Sequence, residues 1–424
     1  MIEKQILGSV LVDPECMNEI ADFVQREWFT PPYDDIWGIM SDLYTENIPI
    51  DSVSIYEQSL KRKIEVNPSF ISKLASDISS GANVQYYATV LAETWKKKEL
   101  LKQIDLTKGK IEEGEDIFEI TEDHLQKVMD ISVLKNDRET SISDSVTKVL
   151  KHIDLIYAGE TDSMWVQSGF YDLDDKFKFG NTDLIYIAAR PSMGKTSLML
   201  SLAKNIGEHS SVGIFSLEMS SEQLTTRLIS GESGIPYLTL LSGHAKKEDA
   251  SRISNSASKI SGLNIFIDDS GGLSPMALIT KARRMKKKYD IKILFVDYIG
   301  LMRYDKLNSN KNAELSYISA RLKELAKDLN IPVVVLSQLS RGVELRSNKQ
   351  PILSDLRDSG SLEQDADSVI MLYRPEYYGD STLDNGDSSE GVCQLLIRKQ
   401  RNGGVGEVNL HFAKETTTFQ NLLR

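Results

Sequence analysis

The stretch Leu184-Ile-Tyr-Ile-Ala-Ala189-Arg190-Pro191-Ser192-Met193-Gly194-Lys195-Thr196-Ser197 decides how the chain is read. An apolar run of strand length, Leu184–Ala188, leads into a compact loop, and a helix is expected to open at Lys195. Such a loop turns backbone N–H groups inward ahead of a helix N-terminus, which makes a ready anion site. Lys195 is placed to reach the β- and γ-phosphates of a nucleotide, and Thr196 to offer its hydroxyl to Mg²⁺. Ala189 stands where the usual Gly-x-x-x-x-Gly-Lys-Ser/Thr pattern has its first glycine, while Gly194 is kept.

Downstream, short β-rich runs (Val212–Phe215, Ile265–Ile267, Ile291–Val296, Val333–Leu336, Val369–Leu372) alternate with helix-length segments. This alternation predicts a largely parallel sheet covered by helices. Two further runs, Val392–Ile397 and Val408–Phe412, are joined through Asn402-Gly403-Gly404, a hairpin signal. Asp297 closes one run, at the carboxyl edge where open α/β sheets bind ligands, and is the expected Mg²⁺-side carboxylate. Glu218, just past Val212–Leu217, falls at the same edge and can orient or deprotonate an attacking water. Gln338, after Ile331–Leu336, can hydrogen-bond a γ-phosphate or simply cap a turn.

The loop Ser354-Asp-Leu-Arg357-Asp358-Ser359-Gly360-Ser361-Leu-Glu-Gln-Asp365 suits close approach to a phosphate backbone, but without an aromatic it would not stack on bases. It is equally readable as an exposed polar loop. Lys399 and Arg401 share a strand face at period two, and Lys195 already serves the phosphate of its own loop. A neighbouring subunit's phosphate is therefore a natural target, with Arg401 an arginine-finger candidate. The basic run Lys281–Lys288 reads as a solvated helix face.

The first 165 residues differ in kind. Glu3–Val12, Glu15–Gln25, Ile36–Leu43, Val53–Lys61 and Val84–Lys108 space apolar residues at three and four, with Asp51 and Asn83 as candidate N-caps. The acidic stretch Glu112–Asp116 marks a connection before a short helix, Ile117–Met129, and Ser141–Tyr157 reads as one amphipathic helix, either in a linker ending near 163 or part of the N-terminal core. The polar Ala158–Ser163 follows it. Residues 1–165 carry 17 Lys+Arg against 31 Asp+Glu, while the rest carry 33 against 31, so the net charge of −12 belongs to the N-terminal part. A near-neutral C-terminal part can still place local cations along a phosphate backbone. With 41 % apolar and 26 % charged residues, wholesale disorder and collagen-like chains are excluded. Two cysteines exclude a disulfide scaffold, no apolar run spans a bilayer, and the start turns polar at once. A cytoplasmic protein without membrane contact is expected, in the host cytoplasm if the source is viral.

Taken together, Ala189–Thr196, Ser-Leu-Glu-Met (216–219), Asp297-Tyr298, Leu-Ser-Gln-Leu (336–339), residues 355–367 and Lys-Gln-Arg-Asn-Gly (399–403) resemble the replicative DNA helicases of the DnaB type. Glu3–Pro14 and Asn83–Tyr87 are similar to that family's helical collar. The resemblance implies an all-α collar domain (1–110), a connecting segment with the linker helix (111–163) and an α/β RecA-like P-loop ATPase domain (164–424). It implies a homohexameric ring that uses ATP and Mg²⁺ to move 5′→3′ on single-stranded DNA and unwind the replication fork. A primase and a helicase loader are the partners it implies, through the collar and the motor. By motif matching, residues Ala189 to Ser197 hold ATP and Thr196 and Asp297 the metal. Glu218 is then the catalytic base and Gln338 the γ-phosphate sensor. Arg227 packs on the base, Lys399 and Arg401 reach the adjacent nucleotide, and Arg357, Asp358 and Gly360 touch DNA. Asp358 stands where the family more commonly has Glu. A RecA-like strand-exchange or signalling ATPase, or a non-hydrolysing ATP-dependent adaptor, are the readings that compete.

Overall fold

The computed structural model describes residues 2–64, 66–76, 78, 80–132, 142–157, 165–302, 311–383 and 386–422. It divides into two units, Met1–Val149 and Leu150–Arg424.

Apolar residues at helical spacing make the first unit wholly helical among its described residues. Helix α1 (Ile2–Val12) buries Ile6, Leu7 and Val10, and α3 (Tyr33–Thr45) buries Ile36, Trp37, Ile39, Met40 and Leu43. Between them, Glu15–Gln25 is only a 3-10 turn at Pro14–Cys16 and a four-residue helix α2 (Met17–Ile20). Helix α4 (Ser52–Lys61) starts at Asp51, whose carboxylate accepts from the backbone N–H of Val53 and Ser54. Helix α5 (Pro68–Ser76) closes the core. Gly8 lets α1 approach it, since a Cβ there would lie 2.5 Å from the Leu74 carbonyl. The 30-residue α6 (Val84–Glu113) follows Asn83, whose side chain makes no cap bond. Helix α7 (Ile117–Ser132) returns along it, tied by Lys110 Nζ to Asp123 Oδ2 at 2.8 Å. The helix expected over Ser141–Tyr157 is α8 (Ile142–Tyr157); Ser141 and Ala158–Ser163 lie outside the described residues.

The second unit is built on a nine-stranded sheet. A short ribbon pairs β1 (Trp165–Val166) with β2 (Phe179–Gly180) around α9 (Tyr171–Lys176). The sheet comprises β3 (Leu184–Ala189), β4 (Val212–Ser216), β5 (Ile265–Asp268), β6 (Ile293–Asp297), β7 (Val333–Gln338) and β8 (Ser368–Tyr373), followed by β9 (Val392–Gln400), β10 (Gly406–Ala413) and β11 (Thr418–Asn421). Its order is β11-β10-β9-β8-β3-β7-β6-β4-β5. Strands from β8 to β5 in that order are parallel, and β9–β11 extend the sheet antiparallel. Helices α10 (Lys195–Gly207), α11 (Ser221–Ser233), α12 (Tyr237–Leu241), α13 (Ala250–Ser261), α14 (Pro275–Tyr289), α15 (Lys311–Leu329) and α16 (Gly360–Asp365) fill the connections. Strands β3, β4, β6 and β8 are buried along their whole length, as parallel strands covered on both faces must be. On α14 three of the six cations in the basic run are paired: Lys281 with Asp268, Arg283 with Asp328 and Lys286 with Asp290.

Candidate functional site

The parallel ladder decides which polar groups meet. Ala189 pairs with Gln338 and Ser216 with Asp297, so each strand delivers its last residue to one carboxyl edge. The loop after β3 turns through Ser192 at φ 66° and Gly194 at φ 100°, and α10 opens when Leu198 N–H donates to Gly194 O. Gly194 is favoured by its left-handed φ, and a Cβ there would also sit tightly, 3.2 Å from the Phe419 ring. Arg190 is bonded to the chain beyond β7: its guanidinium donates to Leu339 O at 2.8 Å and Glu344 Oε1 at 2.9 Å, fastening the loop there.

A cleft of about 430 Å³ opens here, lined by Arg190, Pro191, Ser192, Gly194, Lys195, Thr196, Ser197, Glu218, Arg227 and Gln338. Tyr298, Phe412 and Thr417 line it too, and no role was expected of them. Tyr298 follows Asp297 directly, a signal that local sequence offered. Phe412 and Thr417 arrive from the C-terminal strands, where no local motif points to them.

Charge in the cleft is poorly solvated. Burial holds the Lys195 ammonium below its usual value, against the opposing pull of Asp297 and Glu218, and its Nζ lies 5.0 Å from the centre of the Tyr298 ring. Burial likewise pushes Asp297 up, although Thr196 Oγ1 donates to Asp297 Oδ2 at 2.7 Å. Asp297 Oδ1 is buried with no partner among the described residues. An unpartnered buried carboxylate oxygen beside a hydroxyl is what a divalent cation would satisfy, so these residues fit Mg²⁺. Among the described residues no cluster of three His, Cys, Asp or Glu could hold a metal, and phosphate oxygens would complete the shell. Arg227 lies over the Tyr237 ring at 5.3 Å with its buried Nε unpartnered among the described residues.

The other cations are elsewhere. Lys399 Nζ donates to Glu363 O at 2.6 Å, and Arg401 Nη1 to Asp367 Oδ1 at 3.2 Å. Asp367 also accepts from the N–H of Leu184, the first residue of β3, whereas the phosphate loop leaves its last. Six residues of strand separate the two by roughly 17 Å. Arg401 thus lies at the opposite sheet edge from Lys195. The backbone of Arg357, Asp358 and Gly360 runs through a 3-10 turn (Leu353–Ser359) into α16; their side chains lie outside the description.

The raised Asp297 gives a stability test. Above its unfolded value the native state must ionise a disfavoured carboxylate, so stability falls as pH rises from there, and the penalty is fully present once the pH passes the folded pKa. Without nucleotide and Mg²⁺, Asp297→Asn should therefore melt higher than the parent at pH 7. Adding Mg²⁺ with nucleotide should raise the parent's melting temperature more than the variant's. A variant that melts lower without ligand would reverse this assignment.

Comparison with known proteins matches the same layout. The family model for the DnaB-like helicase C terminal domain matches residues 165–421, and that for the DnaB-like helicase N terminal domain matches residues 1–93. The replicative DNA helicase DnaC of Bacillus subtilis (strain 168) is 32 % identical over 436 residues, covering 100 % of this chain and 94 % of its own. The replicative DNA helicase DnaB of Rickettsia felis is 36 % identical over 456 residues, covering 99 % and 92 %. A solved DnaB-like replicative helicase, described with its interactions with primase, superposes with a TM-score of 0.69 at 30 % identity, covering 100 % of this chain and 99 % of that one. With its helical N-terminal unit and RecA-like ATPase unit both matched, the chain belongs to the DnaB-like replicative helicases.

Proposed function

We propose that the protein is a replicative DNA helicase, a homohexameric ring that hydrolyses ATP to move 5′→3′ on single-stranded DNA and open the fork. The observation that carries this is the cleft itself: Lys195, Thr196, Glu218 and Gln338 converge on it, while Lys399 and Arg401 lie at the other sheet edge. A closed ring answers that separation, because head-to-tail packing repeats one heterologous interface and sets each chain's cations against the next chain's nucleotide. In this reading Lys195 and the loop N–H groups bind phosphate, and Thr196 and Asp297 hold Mg²⁺, which would neutralise phosphate charge when bound. Glu218 orients and deprotonates water, Gln338 senses the γ-phosphate, and Arg227 packs on the base. Arg401 in trans contributes about 10³–10⁵ in rate. Opening each base-pair step costs ~1.4 kcal/mol on average, which this turnover must supply. Residues 1–110 form the collar, 111–163 the connection and 164–424 the motor. Arg357, Asp358 and Gly360 hold the DNA backbone, and collar and motor receive primase and loader. No described helix is long and apolar enough to cross a membrane. In this reading the ring works on DNA in the cytoplasm, the host's if the source is viral.

ATP turnover and unwinding of a forked substrate, with mass in solution measured alongside, test the reading. The parent should run as a hexamer and unwind only with hydrolysable ATP. Glu218→Gln should bind ATP and neither hydrolyse nor unwind, and parental turnover in it would remove Glu218 as the base. Arg357→Ala should weaken single-strand binding equally across sequences and flatten the salt slope by about 0.7 for each phosphate it no longer neutralises. An unchanged slope would leave that loop without a DNA role. Arg401→Ala should assemble and bind ATP but turn over poorly, and mixing with Lys195→Ala subunits should restore part of the rate, with a maximum at intermediate ratios. Verified mixing without recovery would end the shared-site mechanism.

A further inference from the structure

Arg401 is the first residue past β9 and its side chain is 71 % exposed, a setting in which a long side chain would ordinarily sample many rotamers. Two bonds index it to a single residue. Its backbone N–H donates to Asp367 O at 2.8 Å, and its Nη1 to Asp367 Oδ1 at 3.2 Å. Asp367 itself is fixed. Its side chain is only 4 % exposed, and Oδ2 accepts from Leu184 N–H at 2.8 Å and from Lys323 Nζ. Lys323 in turn donates to Thr182 O. The carboxylate therefore spends one oxygen on the start of the central strand and its lysine, and the other on the exposed guanidinium. Two residues further back on β9, Lys399 is tied to the Glu363 carbonyl of α16. Asp367 lies two residues after α16 ends, and α16 begins at Gly360 in the loop assigned to DNA.

Resting on the trans-acting role of Arg401, we propose that Asp367 is the positioning residue that aims Arg401 at the neighbouring subunit's phosphate. With Nη1 held and its other N–H groups given no acceptor among the described residues, the guanidinium presents one edge in a fixed direction. A planar fork that is pre-aimed loses less freedom when it meets phosphate. Asp367 is buried on protein partners and acts through Arg401. Because the segment from Gly360 to Asp367 carries the anchors of both Lys399 and Arg401, movement of the DNA loop in one subunit would re-aim the cations offered to the next.

The test is Asp367→Asn in the full-length ring, with turnover measured in the presence of single-stranded DNA. The kcat should fall about tenfold or more, as misplaced groups do, while KM for ATP stays within about twofold. Added to Arg401→Ala, the substitution should slow turnover no further. Mixed with Lys195→Ala subunits, Asp367→Asn subunits should regain turnover, since their own phosphate loops are intact and the neighbour's Arg401 is correctly held. A merely structural defect would not be repaired by mixing. If Asp367→Asn does not assemble, Asp367→Glu, which keeps the charge and shifts it by one methylene, carries the same mixing test. Parental kcat in an assembled Asp367 variant, or loss that mixing does not restore while Arg401→Ala is restored, overturns the proposal. Failure of Arg401→Ala itself to be restored instead removes the shared site on which the proposal rests.

Discussion

Register in the parallel sheet is the constraint on which the site depends. Ala189 opposite Gln338 and Ser216 opposite Asp297 bring the phosphate loop, the γ-phosphate side and the metal side to one edge. Because the side-chain period of a strand is two, a slip of one residue would turn every buried side chain of a strand to its other face. The strands resist such a slip through continuous burial, with Leu184–Ala189 and Ile293–Asp297 inaccessible along their lengths. Beyond the ladder, Leu217 N–H donates to Asp297 O at 2.6 Å. That bond carries the order of the sheet one residue past the end of β4 and sets the loop that bears Glu218.

The same burial makes the site electrostatically unsatisfied. Lys195 and Asp297 are both shifted towards their neutral forms by desolvation, and each is partly held charged by the other. Neither is optimised for the stability of the ligand-free chain. The unpartnered Asp297 Oδ1 and Arg227 Nε belong to the same pattern, polar atoms left without partners around one cleft. Arg190 does the opposite work: its guanidinium satisfies itself on Leu339 O and Glu344, so the loop is rigid where it needs no ligand and unsatisfied where it does.

What the sequence made legible was what is local. The strand–loop–helix at Leu184–Lys195 and the acids closing strands are contiguous features, and strand–helix alternation carries the α/β reading. The Asp51 cap was readable because an N-cap acts two and three residues on. Short elements were not. Glu15–Gln25 has helical apolar spacing, yet the chain leaves the helix at Ile20, and α5 and the four-residue β11 went unseen. Long-range partners left no trace either: Asp367 meets Leu184, Lys323 and Arg401 across 183, 44 and 34 residues. Arg190 meets Glu344 across 154. Nothing at those positions marks the pairing, because a long-range polar contact is specified by the fold that closes it.

The antiparallel extension explains why one chain serves two nucleotides in the proposed ring. Strand β10 spans eight residues, roughly 24 Å from end to end at the antiparallel rise, and its two ends do different things. Towards its C-terminal end Phe412, and beyond it Thr417, line the chain's own cleft, and Phe419 on β11 packs beside Gly194. At its N-terminal end the turn through Asn402–Gly404 carries Arg401 to the start of β3. A rigid hairpin cannot bring both ends to one phosphate. In the proposed ring the exposed guanidinium meets the next subunit's phosphate instead, and head-to-tail packing repeats that contact from subunit to subunit. Repeated head-to-tail contact either closes as a ring or runs on as a filament, and the proposed ring is the closing case.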